Sequence, residues 1–157
     1  MRYENLVLCE DIGEPTYVET SHLFCNWLLH AWMENDQLPT PDIVCLWRNP
    51  RKVASSMHIL GTVPGRTEEG LRWYLSPEDP TNVTRLADWR EYSDYQLCYW
   101  YCMEIKKRHK IDAGEVQKRG GKAVTIETSE VATWKGLSRL MNQLELPVFD
   151  LTGFIRY

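Results

Sequence analysis

The sequence predicts an α/β fold in which a mainly parallel sheet carries flanking helices, organised as a single domain over residues 1–157. Three observations predict it. Short β-like runs alternate with helical patterns along the chain, as expected where each strand returns to the sheet through a helix. The chain is 43% apolar and includes seven Trp and eight Tyr, enough for one well-filled core. No internal repeat and no low-complexity linker divides it.

The β-like runs are LVLC (6–9), TYVE (16–19), DIVCLW (42–47) and KAVTIE (122–127). Residues 23–34, LFCNWLLHAWME, are apolar nearly all round, so that helix is expected to lie buried between the sheet and another layer. A second helix over residues 49–60 places Val53, Met57 and Leu60 on one face, and Gly61 is its natural stop. Residues 62–88 are rich in Gly, Pro and acidic side chains and form a loop too long for a mere connection, the kind that covers a site. EYSDYQLCYWYCMEIKKRHK (91–110) reads as a long core helix with an aromatic middle and a basic end that suits the helix dipole. KRGGKAV then turns into the last strand, and EVATWKGLSRLMNQLELP closes with an amphipathic helix stopped by Pro147.

Composition narrows the function classes. A formal charge of −4 argues against a general nucleic-acid role, because no basic face is left to follow a phosphate backbone. The opening MRYENLVLCEDIGEP lacks a signal pattern and no stretch is long and apolar enough to span a bilayer, so a cytoplasmic protein without a membrane partner is expected. Cys9, Cys25, Cys45, Cys98 and Cys102 show no Cys-x-x-Cys spacing and read as reduced core residues. The sequon Asn82-Val83-Thr84 is then not expected to carry a glycan. No metal site is expected: the pattern around His22, His30, His58 and His109 demands none, and Cys98 and Cys102 sit one helical turn apart among aromatic neighbours that favour packing.

The stretch LWRNPRKVASSMH (46–58) crowds cations and hydroxyls around one corner. Asn49 can cap a helix and Pro50 fits its first position, so free backbone N–H groups and the positive dipole end are expected to face outward toward an anion. Arg48 leaves the strand beside that terminus, and Ser56, seven residues beyond Asn49, lies two turns along on nearly the same face. A guanidinium and a hydroxyl so placed can hold one phosphate from two sides. Taken alone, Arg51, Lys52, Ser55 and Ser56 also fit an ordinary solvated helix face.

A strand, then Arg-x-Pro-Arg, then a serine eight residues after the first arginine, resembles the signature with which sulfotransferases hold the 3′-phosphate of 3′-phosphoadenosine 5′-phosphosulfate. YVETSHLF, RNPRKVASS, PGRTEEGLRWYLSPEDP, DWREYSDYQLCYWYCMEI and LSRLMNQLELP are similar, in the same order, to the middle and C-terminal parts of bacterial-type sulfotransferases. The resemblance implies a fold related to the P-loop NTPases and transfer of a sulfuryl group to a hydroxyl or amine of a small-molecule acceptor. It assigns Arg48 and Ser56, with Asn49 and Arg51 beside them, to the donor's 3′-phosphate. It also places His22 where the family keeps its base in a Lys-Thr-His segment, with Glu19 nearby; a histidine suits that transfer because an attacking hydroxyl must lose its proton. The loop GTVPGRTEEGLRWYLSPEDPTN (61–82) would close over the acceptor, with Arg66, Arg72, Trp73 and Tyr74 as contacts.

Two features depart from the family pattern. None of the nine glycines belongs to a glycine-rich phosphate loop at a first helix, and ETSEV (127–131) stands where an aromatic near adenine is often found. The expectation is therefore a truncated P-loop NTPase/sulfotransferase-like fold whose chain starts inside the family domain. The alternative is a non-catalytic remnant or binding module completed by another chain. Either version would leave a sheet edge open to self-association or to a partner strand. A nucleotide-kinase relative is a weaker third reading, since kinases need the same phosphate loop.

Overall fold

A computed structural model of the chain describes residues 18–20 and 24–146. Among them, two strands form a parallel sheet: β1 (Ile43–Trp47) and β2 (Ala123–Glu127), in register from Ile43 opposite Ala123 to Trp47 opposite Glu127. A π-helical turn, Phe24–Leu28, runs into α1 (Leu29–Met33) ahead of β1. Between the strands lie α2 (Pro50–Ile59), α3 (Glu68–Trp73), a 3₁₀ turn at Trp89–Glu91 and α4 (Asp94–Lys118); α5 (Thr128–Val131) and α6 (Trp134–Leu144) follow β2. The fold is α/β, with the crossover that parallel pairing requires.

Residues paired in a parallel register point to the same face, which sorts the layers. Ile43 and Cys45 of β1 and Ala123 of β2 share one face, packed with Leu29 and Met33 of α1 and Ala113 and Val116 of α4. On the other face Val124 and Ile126 of β2 are buried and α6 packs against that strand, while Val44 and Leu46 of β1 remain 38% and 49% exposed. A second core lies beyond the sheet, where Leu97, Cys98, Trp100 and Tyr101 of α4 meet Ala54 and Met57 of α2 and Val63 and Leu75 of the long loop.

The helix ends have local causes. Asn49 caps α2, and the stop at Gly61 is realised: Gly61 takes φ +68°, where an L side chain is strained, and lets the Thr62 N–H reach the Met57 carbonyl. α4 starts in a capping box between Ser93 and Gln96. The basic run at 106–110 does not end it as expected. Two further turns form because Ala113 and Val116 carry the apolar stripe onto the sheet.

Other expectations are corrected. The anticipated closing helix is split, because Thr133 accepts the Gly136 N–H at 3.0 Å and starts α6 afresh; α6 then ends at Leu144, with Glu145 in the left-handed region, short of Pro147. The long loop is ordered around α3, where Gly70 lies so close to Val63 that a Cβ would fall 1.9 Å from the Val63 carbonyl oxygen. Val18 and Glu19, the described part of the TYVE run, are not in a strand, and the LVLC run lies outside the described residues.

The loop is also pinned to α4 by charge. Glu104, fully buried, accepts the N–H groups of Val83 and Thr84, each at 2.7 Å, and the Arg108 Nε at 3.0 Å. Arg108 in turn donates to the carbonyls of Asn26 at 2.7 Å and Thr81 at 2.8 Å. One buried pair thus ties the turn before α1, the loop and α4 together. The Asn82 side chain is buried and donates from Nδ2 to the Ser76 carbonyl at 2.8 Å.

Candidate anion-binding corner

β1 and β2 run parallel and finish at the same edge, at Trp47 and Glu127; a helix follows β2 directly and β1 after two residues. The carboxyl ends of parallel strands are where α/β sheets present their ligand sites. Thr128 fixes the corner by donating its hydroxyl to the Trp47 carbonyl at 3.1 Å, which holds the exit of β1 against the start of α5. Arg48 follows at once, exposed, and α2 begins two residues later.

The cap changes the expected anion chemistry. Asn49 Oδ1 accepts the Arg51 N–H at 3.0 Å and the Lys52 N–H at 3.4 Å, while the Asn49 carbonyl accepts from Lys52 and Val53 at 3.1 Å. Pro50 has no N–H. The first-turn amides are therefore already engaged, contrary to the expectation that they face outward unpaired. What the corner offers is the dipole's positive end and its side chains.

Those side chains are uncompensated. Among the described residues Arg48, Arg51 and Lys52 are exposed and form no ion pair, and the first turn of α2 holds no acid. Elsewhere Arg66, Arg90, Arg108, Lys118, Lys122 and Arg139 each meet a carboxylate, whereas Arg72, Arg85, Lys106, Lys107, Lys110, Arg119 and Lys135 also form no ion pair among the described residues; what sets the corner apart is three such cations gathered at one helix start. Ser55 and Ser56 are exposed on α2. Three free cations, two hydroxyls and a helix N-terminus together suit a multiply charged oxyanion better than a carboxylate.

The remaining expected site residues are dispersed. Glu19 is exposed, and His22 lies outside the described residues. Arg66 is committed within the loop: it pairs with Asp94 and donates to the carbonyls of Arg90 and Tyr92. Arg72 is exposed with its guanidinium 4.8 Å from the Trp73 ring centroid, and Trp73 Nε1 donates to Glu69 at 2.7 Å. The Tyr74 ring packs 4.9 Å from that of Tyr101. Arg72 and Trp73 thus keep exposed surface on the loop, whereas Tyr74 is half-buried.

Sequence reasoning missed Thr128 and the Glu104–Arg108 pair. A signal for the pair existed, because Leu97, Tyr101, Glu104 and Arg108 recur at spacings of three and four and so share the buried face of α4. Farther along α4, burial raises the Asp112 carboxyl to about 6 against the opposing pull of Arg108 and His30, and burial lowers His109. Burial likewise pushes the thiols of Cys25, Cys45, Cys98 and Cys102 up to about 11, which leaves them protonated and unreactive at neutral pH.

Among the described residues no group of three His, Cys, Asp or Glu side chains is placed to hold a metal ion, and no helix is long and apolar enough to cross a membrane. Comparison of the chain with protein-family models, with curated proteins and with solved structures finds no match.

Proposed function

We propose that the corner binds the 3′-phosphate of an adenosine bisphosphate, and that the chain is a sulfotransferase-related protein with a truncated P-loop NTPase-like fold. The observation that carries this reading is the trio of unpaired cations, Arg48, Arg51 and Lys52, at the carboxyl end of β1 where α2 begins. Arg48 and Ser56 supply the direct grip, Arg51 adds charge, and Asn49 builds the terminus rather than touching the ligand through its amides. The donor is 3′-phosphoadenosine 5′-phosphosulfate, and the acceptor is a hydroxyl or amine of a small molecule held against Arg72, Trp73 and Tyr74. In that reaction His22, or Glu19 beside it, removes the acceptor's proton as the oxygen or nitrogen attacks sulfur.

Transfer also needs donors aimed at the bridging oxygen of the leaving phosphate, where charge builds. These 157 residues contain no glycine-rich phosphate loop to supply them. Binding of the bisphosphate without turnover is therefore the expected behaviour of these residues, with transfer restored where a segment bringing such a loop is supplied. Calorimetric titration of adenosine 3′,5′-bisphosphate into the native chain and into Arg48→Ala tests the binding step. Loss of one charged phosphate contact should weaken affinity by about 2 kcal/mol, roughly thirtyfold. Equal affinities would remove the basis of the proposal. A labelled-sulfate transfer assay over phenols, alcohols and amines tests the second step, and robust turnover by the monomeric chain would show that another segment performs the loop's role.

A further inference from the structure

We infer that the turn at residues 81–84, at the stem of the long loop, binds an internal water molecule held between the Asn82 side-chain carbonyl and the Thr84 hydroxyl. The inference is independent of any reading of the basic corner.

Most polar groups of this turn are answered by protein. The Thr81 N–H and hydroxyl donate to Asp79 Oδ1 at 2.9 and 2.6 Å, and the Thr81 carbonyl accepts from Arg108 at 2.8 Å. The Asn82 N–H reaches the Asp79 carbonyl at 3.1 Å. Glu104 takes the N–H groups of Val83 and Thr84, and the Thr84 carbonyl accepts from Trp100 Nε1 at 3.0 Å. Val83 turns outward, 45% exposed, while Asn82 beside it is buried. Two side-chain atoms are left over. Among the described residues, Asn82 Oδ1 and Thr84 Oγ1 are the buried side-chain polar atoms that meet no protein partner. They belong to one turn and stand two residues apart.

A buried polar atom without a partner forfeits the hydrogen bonds it had in water, so such atoms are nearly always satisfied. Reorienting Asn82 does not satisfy it: turning its amide over would set Oδ1 against the Ser76 carbonyl, which Nδ2 now reaches at 2.8 Å. Nor do the two atoms bond each other, so a third group must span them. Charge decides its class. A cation is opposed by the Arg108 guanidinium, which donates to the Thr81 carbonyl and hydroxyl in the same turn. An anion is opposed by Asn82 Oδ1, which has no proton to give, and by the Glu104 carboxylate seated on the next two amides. What remains is a small neutral molecule that donates to Asn82 and either donates to Thr84 or accepts its proton. Water is that molecule, and internal waters making about two to four hydrogen bonds to buried groups are part of a fold. This one braces the turn that Glu104 seats on α4, and so helps to fix the stem of the loop.

Crystallography and water magnetic relaxation dispersion, both on the full chain, test this. In the native crystal structure one water oxygen should lie within roughly 2.7–3.2 Å of both Asn82 Oδ1 and Thr84 Oγ1. In solution, Thr84→Val keeps the shape of the side chain but removes the hydroxyl, and should lower the number of long-lived waters by about one relative to the native chain. An equal number in the two chains would overturn the inference. So would a native structure in which either atom bonds directly to protein, or in which no water touches both. Contacts of roughly 2.3–2.5 Å at that position, with density that follows the cation in the buffer, would overturn it in favour of a metal ion. If Thr84→Val does not fold, the native structure alone decides.

Discussion

Arg108 and Arg48 show two uses of the same side chain. Arg108 lies in the interior of the long helix with its donors directed to Glu104, Asn26 and Thr81, and it joins three segments that the chain keeps apart. Arg48 stands at the end of β1, exposed, with no carboxylate in reach among the described residues. Taking an ion pair out of water is costly, so the largely covered arginine beside the fully buried Glu104 is tolerated because its donors are answered. The exposed one costs the fold little and leaves its charge available. The contrast separates cations that build the structure from cations whose charge the fold leaves unused, and it can be broken by measurement.

The largest expected effect belongs to the buried side. Glu104→Ala leaves Arg108 without its partner and the amides of Val83 and Thr84 without an acceptor, and should lower unfolding free energy by roughly 3–5 kcal/mol in denaturant titration. Pairing it with Arg108→Met should recover part of that loss, since the uncompensated charge is then gone. A loss below about 1 kcal/mol in the single variant would mean that the network is not what holds the loop.

Arg48→Ala is the mirror experiment. Stability should stay within about 0.5 kcal/mol of the native chain, as for other exposed substitutions. Affinity for adenosine 3′,5′-bisphosphate should meanwhile fall by about 2 kcal/mol. A stability loss comparable with that of Glu104→Ala would place Arg48 among the structural cations and dissolve the distinction.

The two regions also differ in how far they could be read from sequence. The corner was legible because its information is local: an apolar run ending at Trp47, the Asn49-Pro50 start and the Gly61 stop each act within a few residues, and β1 and α2 fall within a residue of their expected bounds. One detail escaped, since whether the Asn49 side chain turns inward onto its own helix is a rotamer choice that spacing does not encode. The structural region was less legible because its partners are distant. Nothing local says that Glu104 will answer the amides of Val83 and Thr84, or that Ala113 and Val116 will extend α4 past a basic run that looks like a terminus.

Asp112 lies on α4 between the two behaviours, an acid with its carboxyl raised to about 6 by burial. Its folded value lies above the unfolded one, so its contribution is fully present below about pH 4 and is lost as pH rises through about 6. Above that range the half-buried carboxylate is a liability that Arg108 and His30 offset only in part. Asp112→Asn should stabilise the chain by about 1 kcal/mol at pH 7.5, after allowing for solvent screening, and by nearly nothing at pH 4. His109, lowered by burial, acts in the opposite sense as pH falls, but it is common to both chains and cancels in the difference. A pH-independent difference would assign the effect to hydrogen bonding instead of charge.

The smallest expected effect is the sharpest test of the corner itself. Asn49→Gly removes the side-chain acceptor while keeping a residue that helix starts tolerate, so stability should fall by only a few tenths of a kcal/mol. The same change frees the Arg51 N–H for an external acceptor and removes the longer, 3.4 Å contact of the Lys52 N–H, which keeps its 3.1 Å bond to the Asn49 carbonyl. If the dipole and the side chains alone hold the phosphate, affinity for adenosine 3′,5′-bisphosphate stays as it was. If the bound anion competes with Asn49 for those amides, affinity rises, by up to roughly tenfold for one additional charge-assisted hydrogen bond. A loss of affinity would contradict both arrangements, because it would mean that the Asn49 side chain itself contacts the ligand and that the cap in the free chain is one of two positions it adopts. Titrating Asn49→Gly beside Arg48→Ala under the same salt conditions thus distinguishes a corner that binds through fixed charge from one whose helix terminus opens to take part.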